Sequence, residues 1–214
     1  HELSLPHDNT PKEIDTSNPF FDLDRNRCIL CARCTRTCSE ITCVGAIDLA
    51  YRGYGMKVST FKDGALIDSI CGSCGECVVR CPVGAFTPKE VYKIDREVKT
   101  TCTYCAVGCQ MYLGIKNENI VSIRGCSEGE ANEGRLCVKG RFGIAEMVHS
   151  PDRLTVPLIK RNGCFEEASW DEALDLVARK LKSFRSREIG VVSSARSTNE
   201  ASYVMQKFGR AVLG

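Results

Sequence analysis

The sequence predicts an α+β protein made of several small domains in succession, and three observations support this fold class. Twelve of the fifteen cysteines fall into three closely spaced groups that end at residue 137. Short stretches of alternating apolar residues, bounded by turn residues, predict small antiparallel sheets around these groups. After residue 150, a helical pattern, a short apolar run and a second helical pattern predict the beginning of an α/β domain.

The first two cysteine groups define a region from residue 25 to 97. Residues 1–24 precede it as a predicted irregular lead-in, because they are polar and interrupted by prolines. Each group is followed by a Val-Gly-Ala-apolar tetrapeptide, at residues 44–47 and 83–86, which makes the region an internal repeat. The two groups share the spacing C-x2-C-x2-C-x3-C, at Cys28, Cys31, Cys34 and Cys38 and at Cys71, Cys74, Cys77 and Cys81.

This spacing is that of the bacterial ferredoxin run, whose loop wraps three corners of a [4Fe–4S] cubane. In two-cluster ferredoxins the fourth cysteine ligates the other cluster. The sequence therefore predicts a ferredoxin-like domain with two [4Fe–4S] clusters and crossed ligands. Cluster A is assigned to Cys28, Cys31, Cys34 and Cys81, and cluster B to Cys71, Cys74, Cys77 and Cys38. Between the two groups, apolar stretches on both sides of Asp63-Gly64 predict a hairpin.

The third group defines a small β-rich domain at residues 98–150. Its cysteines, assigned to cluster C, are Cys102, Cys105, Cys109 and, after 27 further residues, Cys137. Apolar residues alternate at 111–115 and again at 121–123, on both sides of a polar turn, which predicts two paired strands. Three complete sets of four cysteines predict three [4Fe–4S] clusters and a protein that carries single electrons.

Two other uses of cysteine compete with iron–sulfur clusters. Disulfide scaffolds are usually short secreted domains with little core, whereas this chain has 214 residues and 43% hydrophobic content. Zinc also binds C-x2-C pairs, but zinc ribbons use pairs rather than triplets closed by a distant fourth cysteine. The remaining cysteines, Cys43, Cys126 and Cys164, are predicted to be ordinary thiols.

Residues 151–214 are predicted to start an α/β domain. The Asn-Gly dipeptide at residues 162–163 suits a type I′ hairpin. A capping box at residues 169–172 begins a helix that runs to about residue 185. Residues 189–192 predict a short buried strand, and an amphipathic helix follows from residue 198 to 213.

Composition excludes two classes of partner. The formal net charge is only +2, so no large field draws the chain to nucleic acid. No stretch approaches the roughly 20 apolar residues of a membrane span. Thiolates committed to iron predict a reducing compartment, most simply the cytoplasm.

With these motifs in view, the sequence resembles the N-terminal part of the catalytic subunit of cytoplasmic molybdenum- or tungsten-bis-pterin formate dehydrogenases, within the molybdopterin oxidoreductase superfamily. The resemblance covers nearly all of residues 18–214. Its most specific element is the third cysteine group running into Val-Lys-Gly-Arg-Phe-Gly at residues 138–143. The segments at residues 151–158, 170–173 and 193–200 also look like that superfamily.

The resemblance implies an oxidoreductase that interconverts formate and CO2, and a molybdopterin-binding domain that begins at residue 151. Its cofactors would be three [4Fe–4S] clusters and a Mo- or W-bis(pterin guanine dinucleotide). Cluster C would exchange electrons with the pterin, and clusters A and B would relay them to a flavin/NAD(P)-linked or ferredoxin-linked iron–sulfur subunit. Lys139 matches the lysine between cluster C and the pterin, and Arg196 could contact the pterin pyrophosphate. Both residues could instead be ordinary solvent-exposed cations without a role at the cofactor.

Some features depart from the family pattern. The family's Cys or selenocysteine metal ligand and its neighbouring His lie further along than residue 214, so no catalytic residue is predicted within this sequence. Longer relatives begin with a [2Fe–2S] domain and a His/Cys3 motif, whereas residues 1–24 hold no cysteine. Ser39 follows Cys38 where the ferredoxin run prefers proline.

Other classes of protein remain open. The chain could be a stand-alone polyferredoxin subunit. It could also be the same module in another oxidoreductase, such as the large iron–sulfur subunit of respiratory complex I or an iron-only hydrogenase. Hydrogenases would lack the third cysteine domain, and nitrate reductases would lack the ferredoxin pair. Only the combination of the two favours formate dehydrogenase.

Overall fold

Short antiparallel pairings connect all the strands of the computed structural model, which describes residues 10–214. Residues 10–102 form one compact unit with residues 109–145, and residues 103–108 form a second with residues 146–214. The first nine residues of the predicted lead-in lie outside the described residues. The strands are β1 (Phe21–Leu23), β2 (Asp48–Ala50), β3 (Lys57–Ser59), β4 (Phe86–Pro88), β5 (Arg96–Thr101), β6 (Gln110–Lys116), β7 (Asn119–Gly125), β8 (Leu158–Arg161) and β9 (Cys164–Glu167). The α-helices are α1 (Arg33–Arg36), α2 (Glu76–Arg80), α3 (Ile144–His149), α4 (Trp170–Lys182) and α5 (Asn199–Phe208).

The hydrophobic core of the first unit forms where β1 pairs with β4. Leu23 lies opposite Phe86 in this pairing, and Phe21, Leu23 and Phe86 are all almost completely buried. The rings of Phe21 and Phe86 meet edge-on with centroids 6.1 Å apart. The prediction of an irregular lead-in is therefore wrong for residues 21–23. A three-residue strand is too short to show alternation, and its partner lies far along the chain.

The two cysteine repeats fold alike. Helices α1 and α2 each begin after a residue in the left-handed conformation, Ala32 with φ of 60° and Gly75 with φ of 75°. The tetrapeptides after the two repeats also match, because Gly45 and Gly84 have φ angles of 65° and 66°. These equivalent turns confirm the internal repeat that the sequence predicts.

The segment between the repeats forms a different hairpin from the predicted one. β3 pairs antiparallel with β2, the strand that precedes it in the sequence, so that Val58 lies opposite Leu49. The predicted hairpin around residues 63–64 is wrong, since Phe61–Asp63 and Leu66–Asp68 form single 3-10 turns instead. Because β3 finds its partner upstream, the apolar residues that follow it have no strand to pair with.

Strands β5, β6 and β7 form an antiparallel sheet in that order. Leu113 of β6 lies opposite Val98 on one side and Ile123 on the other, which confirms both predicted strands. Gly125 ends β7, and a Cβ there would lie 1.9 Å from the carbonyl oxygen of Gly134. Only glycine therefore lets the loop that leads to Cys137 pack directly against the end of this sheet.

The second unit contains the β8–β9 hairpin and helices α4 and α5. Asn162 and Gly163 have positive φ angles of 49° and 88°, which confirms the predicted type I′ turn. The Ser169 hydroxyl accepts a hydrogen bond from the backbone N–H of Glu172 at 3.2 Å and caps α4, as predicted. Within residues 10–214, no helix has the length and apolar character needed to cross a membrane.

The predicted buried strand at residues 189–192 is wrong. None of the described residues pairs with it, and Val192 is 90% exposed. A strand exists only through hydrogen bonds to a neighbour, and an apolar run alone does not supply that neighbour. The predicted helix after it is confirmed, since Thr198 caps α5 and a π-helical turn extends the helix to Leu213.

Candidate metal centres

One cavity of the first unit is lined by four cysteines from both repeats. Its cysteines are Cys28, Cys31, Cys34 and Cys81. Leu23, Val58 and Phe86 contribute apolar wall to the same cavity. Cys34 is buried whereas Cys31 is exposed, so the cavity has an inner and a solvent-facing side.

A second cavity is lined by the other four cysteines of the ferredoxin-like region. These are Cys38, Cys71, Cys74 and Cys77. Phe21, Ile47 and Leu66 form part of its apolar wall. Each cavity thus combines three cysteines of one loop with one cysteine of the other repeat, which is the grouping that the sequence assigns to clusters A and B. The ligand assignment itself stays a prediction.

Backbone N–H groups donate to the cysteine sulfurs at equivalent positions of the two repeats. The donors and acceptors are Leu30 N to Cys28 Sγ (3.4 Å), Ser73 N to Cys71 Sγ (3.4 Å), Ala46 N to Cys38 Sγ (3.3 Å) and Ala85 N to Cys81 Sγ (3.1 Å). Such N–H groups stabilise negative charge on sulfur, whether on a free thiolate or on a cluster ligand.

The pKa values of the cysteine thiols depend on how deeply each thiol is buried. Burial, together with the smaller effect of the neighbouring Cys28, raises the pKa of Cys34 to about 11. Burial likewise raises the pKa of Cys77 and of Cys74. Burial also acts on Cys81, but backbone N–H groups of the following turn outweigh it and lower the pKa of that thiol. A cationic centre such as iron would hold these inner thiols as thiolates.

The donor set of these cavities fits iron–sulfur clusters. All fifteen cysteines are free thiols, which removes the disulfide alternative. In the part of the chain that the structure describes, no three His, Cys, Asp or Glu side chains converge on a single metal ion. Each quartet instead lines the walls of a cavity. Four thiols line each cavity, and Glu76 adds a carboxylate to the lining of the second; a quartet of sulfurs around a cavity suits a group with several metal corners.

The third cysteine set is only partly assembled within the first unit. The backbone N–H of Cys102 donates to the carbonyl oxygen of Cys109 at 2.8 Å. A Cβ on Gly140 would lie 3.8 Å from the sulfur of Cys102 and 3.9 Å from that of Cys137, so these two sulfurs flank the same glycine. Cys105 lies in the 103–108 loop of the second unit and is exposed.

The two predicted pterin contacts occupy different places in the fold. Lys139 is exposed and begins the π-helical turn Lys139–Gly143, two residues after Cys137. Arg196 belongs to the second unit, where its guanidinium lies 5.7 Å from the ring centroid of Tyr104, the residue before Cys105. Both roles stay predictions.

One buried ion pair beside the second cavity was missed by the sequence analysis. Glu76 lies between Cys74 and Cys77 and is 2% exposed, and its carboxylate contacts the guanidinium of Arg141, which is 9% exposed. The sequence feature that could have indicated this ion pair is the carboxylate between two cysteines of one loop. Its partner could not be read from the sequence, because it lies 65 residues away.

Comparison with known protein families gives three matches along the chain. Residues 18–87 match the model described as NADH-quinone oxidoreductase subunit 3, ferredoxin-like domain. Residues 95–149 match the molybdopterin oxidoreductase Fe4S4 domain, and residues 153–214 match molybdopterin oxidoreductase.

Individual relatives agree with these matches. The probable oxidoreductase YjgC of Bacillus subtilis (strain 168) is 31% identical over 99% of this chain and 26% of its own length. The "Putative formate dehydrogenase SAR2393" of Staphylococcus aureus (strain MRSA252) is 31% identical over 92% of this chain and 25% of its own length. The chain thus spans about a quarter of these relatives. A solved NAD+-reducing [NiFe]-hydrogenase is 33% identical over 37% of this chain and 34% of its own, with a TM-score of 0.35.

Proposed function

Because this chain belongs to the molybdopterin oxidoreductase family, we propose that it is the electron-transfer arm of a formate dehydrogenase catalytic subunit. In general terms, the chain is an iron–sulfur electron-transfer module of a molybdopterin oxidoreductase. The domains that it matches imply 4Fe–4S and molybdopterin cofactors. In the specific proposal, the cofactors are three [4Fe–4S] clusters and, in the full-length subunit, a Mo- or W-bis(pterin guanine dinucleotide). The reaction is the interconversion of formate and CO2.

A single observation carries the electron-transfer assignment. Two cavities are each lined by a cysteine quartet, and each quartet draws three members from one repeat and one from the other. Crossed quartets of this kind, each with three cysteines from one loop and one from the other, serve two adjacent [4Fe–4S] clusters, whereas zinc ribbons combine C-x2-C pairs. The third set would be ligated by Cys102, Cys105, Cys109 and Cys137.

The residues of the chain define what bound clusters could do. When bound, such clusters accept and release one electron at a time. The apolar walls would limit the access of water to the inner side of each cavity, and the backbone N–H groups would stabilise the charge of the reduced state. Cys31 is the exposed cysteine of the first cavity, so a partner subunit would approach that cavity from this side. That partner would be a flavin/NAD(P)-linked or ferredoxin-linked iron–sulfur subunit in the cytoplasm.

The formate assignment draws on relatives rather than on the site. Relatives that share about 31% identity carry the name "Putative formate dehydrogenase", and the sequence combines a ferredoxin pair with the third cysteine domain. In the full-length subunit, Lys139 would place a positive charge between the third cluster and the pterin, and Arg196 would contact the pterin pyrophosphate.

A second candidate has one observation in its favour. The family model that matches residues 18–87 describes a domain of NADH-quinone oxidoreductase. The same module would then relay electrons in another oxidoreductase, such as the large iron–sulfur subunit of complex I or an iron-only hydrogenase, or in a stand-alone polyferredoxin.

Two measurements separate these functions. Anaerobically prepared 214-residue chain should contain twelve iron atoms and about twelve acid-labile sulfides, which is three cubanes. Eight or fewer iron atoms without reconstitution to twelve would contradict the three-cluster assignment. Formate should reduce the clusters of the full-length subunit, as followed by electron paramagnetic resonance (EPR). Reduction by NADH or H2 but not by formate would favour the second candidate.

A further inference from the structure

A buried ion pair joins the cysteine loop of the second cavity to the segment that carries Cys137. Glu76 belongs to the loop from Cys71 to Cys77, and Arg141 follows Cys137 by four residues. Their side chains are in contact in the interior of the first unit. The two cysteine motifs are distant in sequence, so this contact is a tertiary connection between them.

Arg141 reaches both cysteine segments through hydrogen bonds. Its Nε donates to the carbonyl oxygen of Cys74 at 2.8 Å. Its backbone N–H donates to the carbonyl oxygen of Cys137 at 2.9 Å. A continuous path of covalent bonds and two hydrogen bonds therefore runs from Cys74, through Arg141, to Cys137.

Glu76 fixes the orientation of that arginine. Its Oε1 accepts from the Arg141 guanidinium and from the backbone N–H of Leu136, the residue before Cys137. Its Oε2 has no hydrogen-bond partner, and the Nε of Arg80 lies 3.9 Å from it. Burial of charge with an orphaned oxygen is unfavourable, and an apolar pair of similar volume is often as stable. Stability alone therefore does not account for this pair.

The backbone of the cysteine loop is shaped to admit the arginine. Gly75 has φ of 75°, and a Cβ there would lie 2.8 Å from the Cδ of Arg141 and 3.1 Å from the ring of Phe142. The ring of Phe142 in turn stacks on Phe20, with centroids 4.3 Å apart and planes 5° from parallel. A glycine and a stacked ring thus hold Arg141 close to the loop between Cys74 and Cys77.

We propose that Glu76 and Arg141 are positioning residues that link the second cluster (cluster B, in the second cavity) to the third cluster (cluster C, at Cys137). They provide the hydrogen-bonded route for electrons between these two clusters. The proposal rests on the function proposed above, in which both cysteine sets hold clusters. With clusters bound at both cysteine sets, each transfer would oxidise one cluster by one electron and reduce the other by one electron, and no bond or proton would need to move. Electron tunnelling decays less steeply along covalent and hydrogen bonds than through space, so the bonded path through Arg141 would add to the coupling between them.

The test uses the full-length subunit, prepared anaerobically, with Arg141→Met and the double variant Glu76→Met/Arg141→Met. The double variant removes both charges and should keep the fold, because it leaves no orphan ion. Arg124→Met is the matched control, since Arg124 pairs with Glu97 at 2.6 Å on the exposed surface of the same unit. Iron content is measured first. Rapid freeze-quench EPR after flash reduction then follows the magnetic interaction of the two clusters and the rate of electron exchange.

In the double variant we expect full iron content, a weaker magnetic interaction and electron exchange slower by at least about tenfold, which is roughly 1.4 kcal/mol of barrier. The Arg124→Met control should match the unmutated protein. Unchanged exchange with full iron would overturn the proposal, and so would loss of second-cluster iron in both Arg141 variants. Failure of the underlying function would appear differently, as missing iron in the unmutated protein.

Discussion

Replacement of Glu76 by alanine should destabilise the first unit more than any surface ion-pair change. The substitution leaves Arg141 charged and only 9% exposed, and it removes the acceptor of the Leu136 backbone N–H. Breaking a buried pair by removing one partner costs about 3–5 kcal/mol. For a protein of this size, each kcal/mol lowers the melting temperature by about 2–4 °C, so the expected decrease is roughly 6–20 °C.

The matched control is Glu97→Ala, which breaks the exposed bridge to Arg124. Surface pairs of this kind contribute only about 0–1 kcal/mol. Melting midpoints of the anaerobic, iron-loaded proteins are compared at one scan rate, by circular dichroism and by the cluster absorbance. If Glu76→Ala melts within about 3 °C of Glu97→Ala, the buried pair is not the connection inferred from the structure. Glu76→Met/Arg141→Met should recover most of the lost stability, because no ion is left unpaired.

The remaining predictions concern single positions. Cys38→Ala should remove the EPR signal of the second cluster and spare that of the first. The control is Cys43→Ala, which removes an exposed thiol of the same repeat and should change neither signal. Loss of the first cluster's signal in Cys38→Ala would contradict the crossed assignment. Lys139→Ala in the full-length subunit should retain all iron but lower formate turnover with an external acceptor by at least about tenfold, and unchanged turnover would identify a solvated lysine. Gly75→Ala should displace Arg141 and weaken the magnetic interaction of the second and third clusters at full iron content, which EPR would detect.

Local patterns in the sequence predicted those parts of the fold that local interactions decide. The Asn162-Gly163 turn needs two positive φ angles, and the helix after Ser169 needs only its own cap and apolar face. The crossed cysteine quartets were predictable for a different reason, since the repeat spacing dictates how one loop can surround a cubane. Their grouping in the two cavities agrees with that geometry.

The features that the sequence did not reveal depend on distant partners. β1 forms because Phe21–Leu23 meets Phe86–Pro88, and residues 189–192 do not form a strand because no described residue pairs with them. The contact of Glu76 with Arg141 spans 65 residues, and neither side chain is unusual by itself. Only the fold brings the carboxylate and the guanidinium into one buried site.

Crossed ligation, as predicted from the sequence, would tie cluster loading to folding of the ferredoxin-like region. The first cavity is incomplete until Cys81 of the second repeat arrives, and the second is incomplete until Cys38 of the first repeat arrives. Burial raises the pKa of the inner thiols Cys34 and Cys77, so their thiolates are unfavourable until iron binds and their protons leave. The free energy of cluster binding is therefore also free energy of folding. Since β1 and β4 close both repeats over one shared core, we expect unfolding of that core to release both clusters, whereas loss of one ligand such as Cys38 empties only its own cavity.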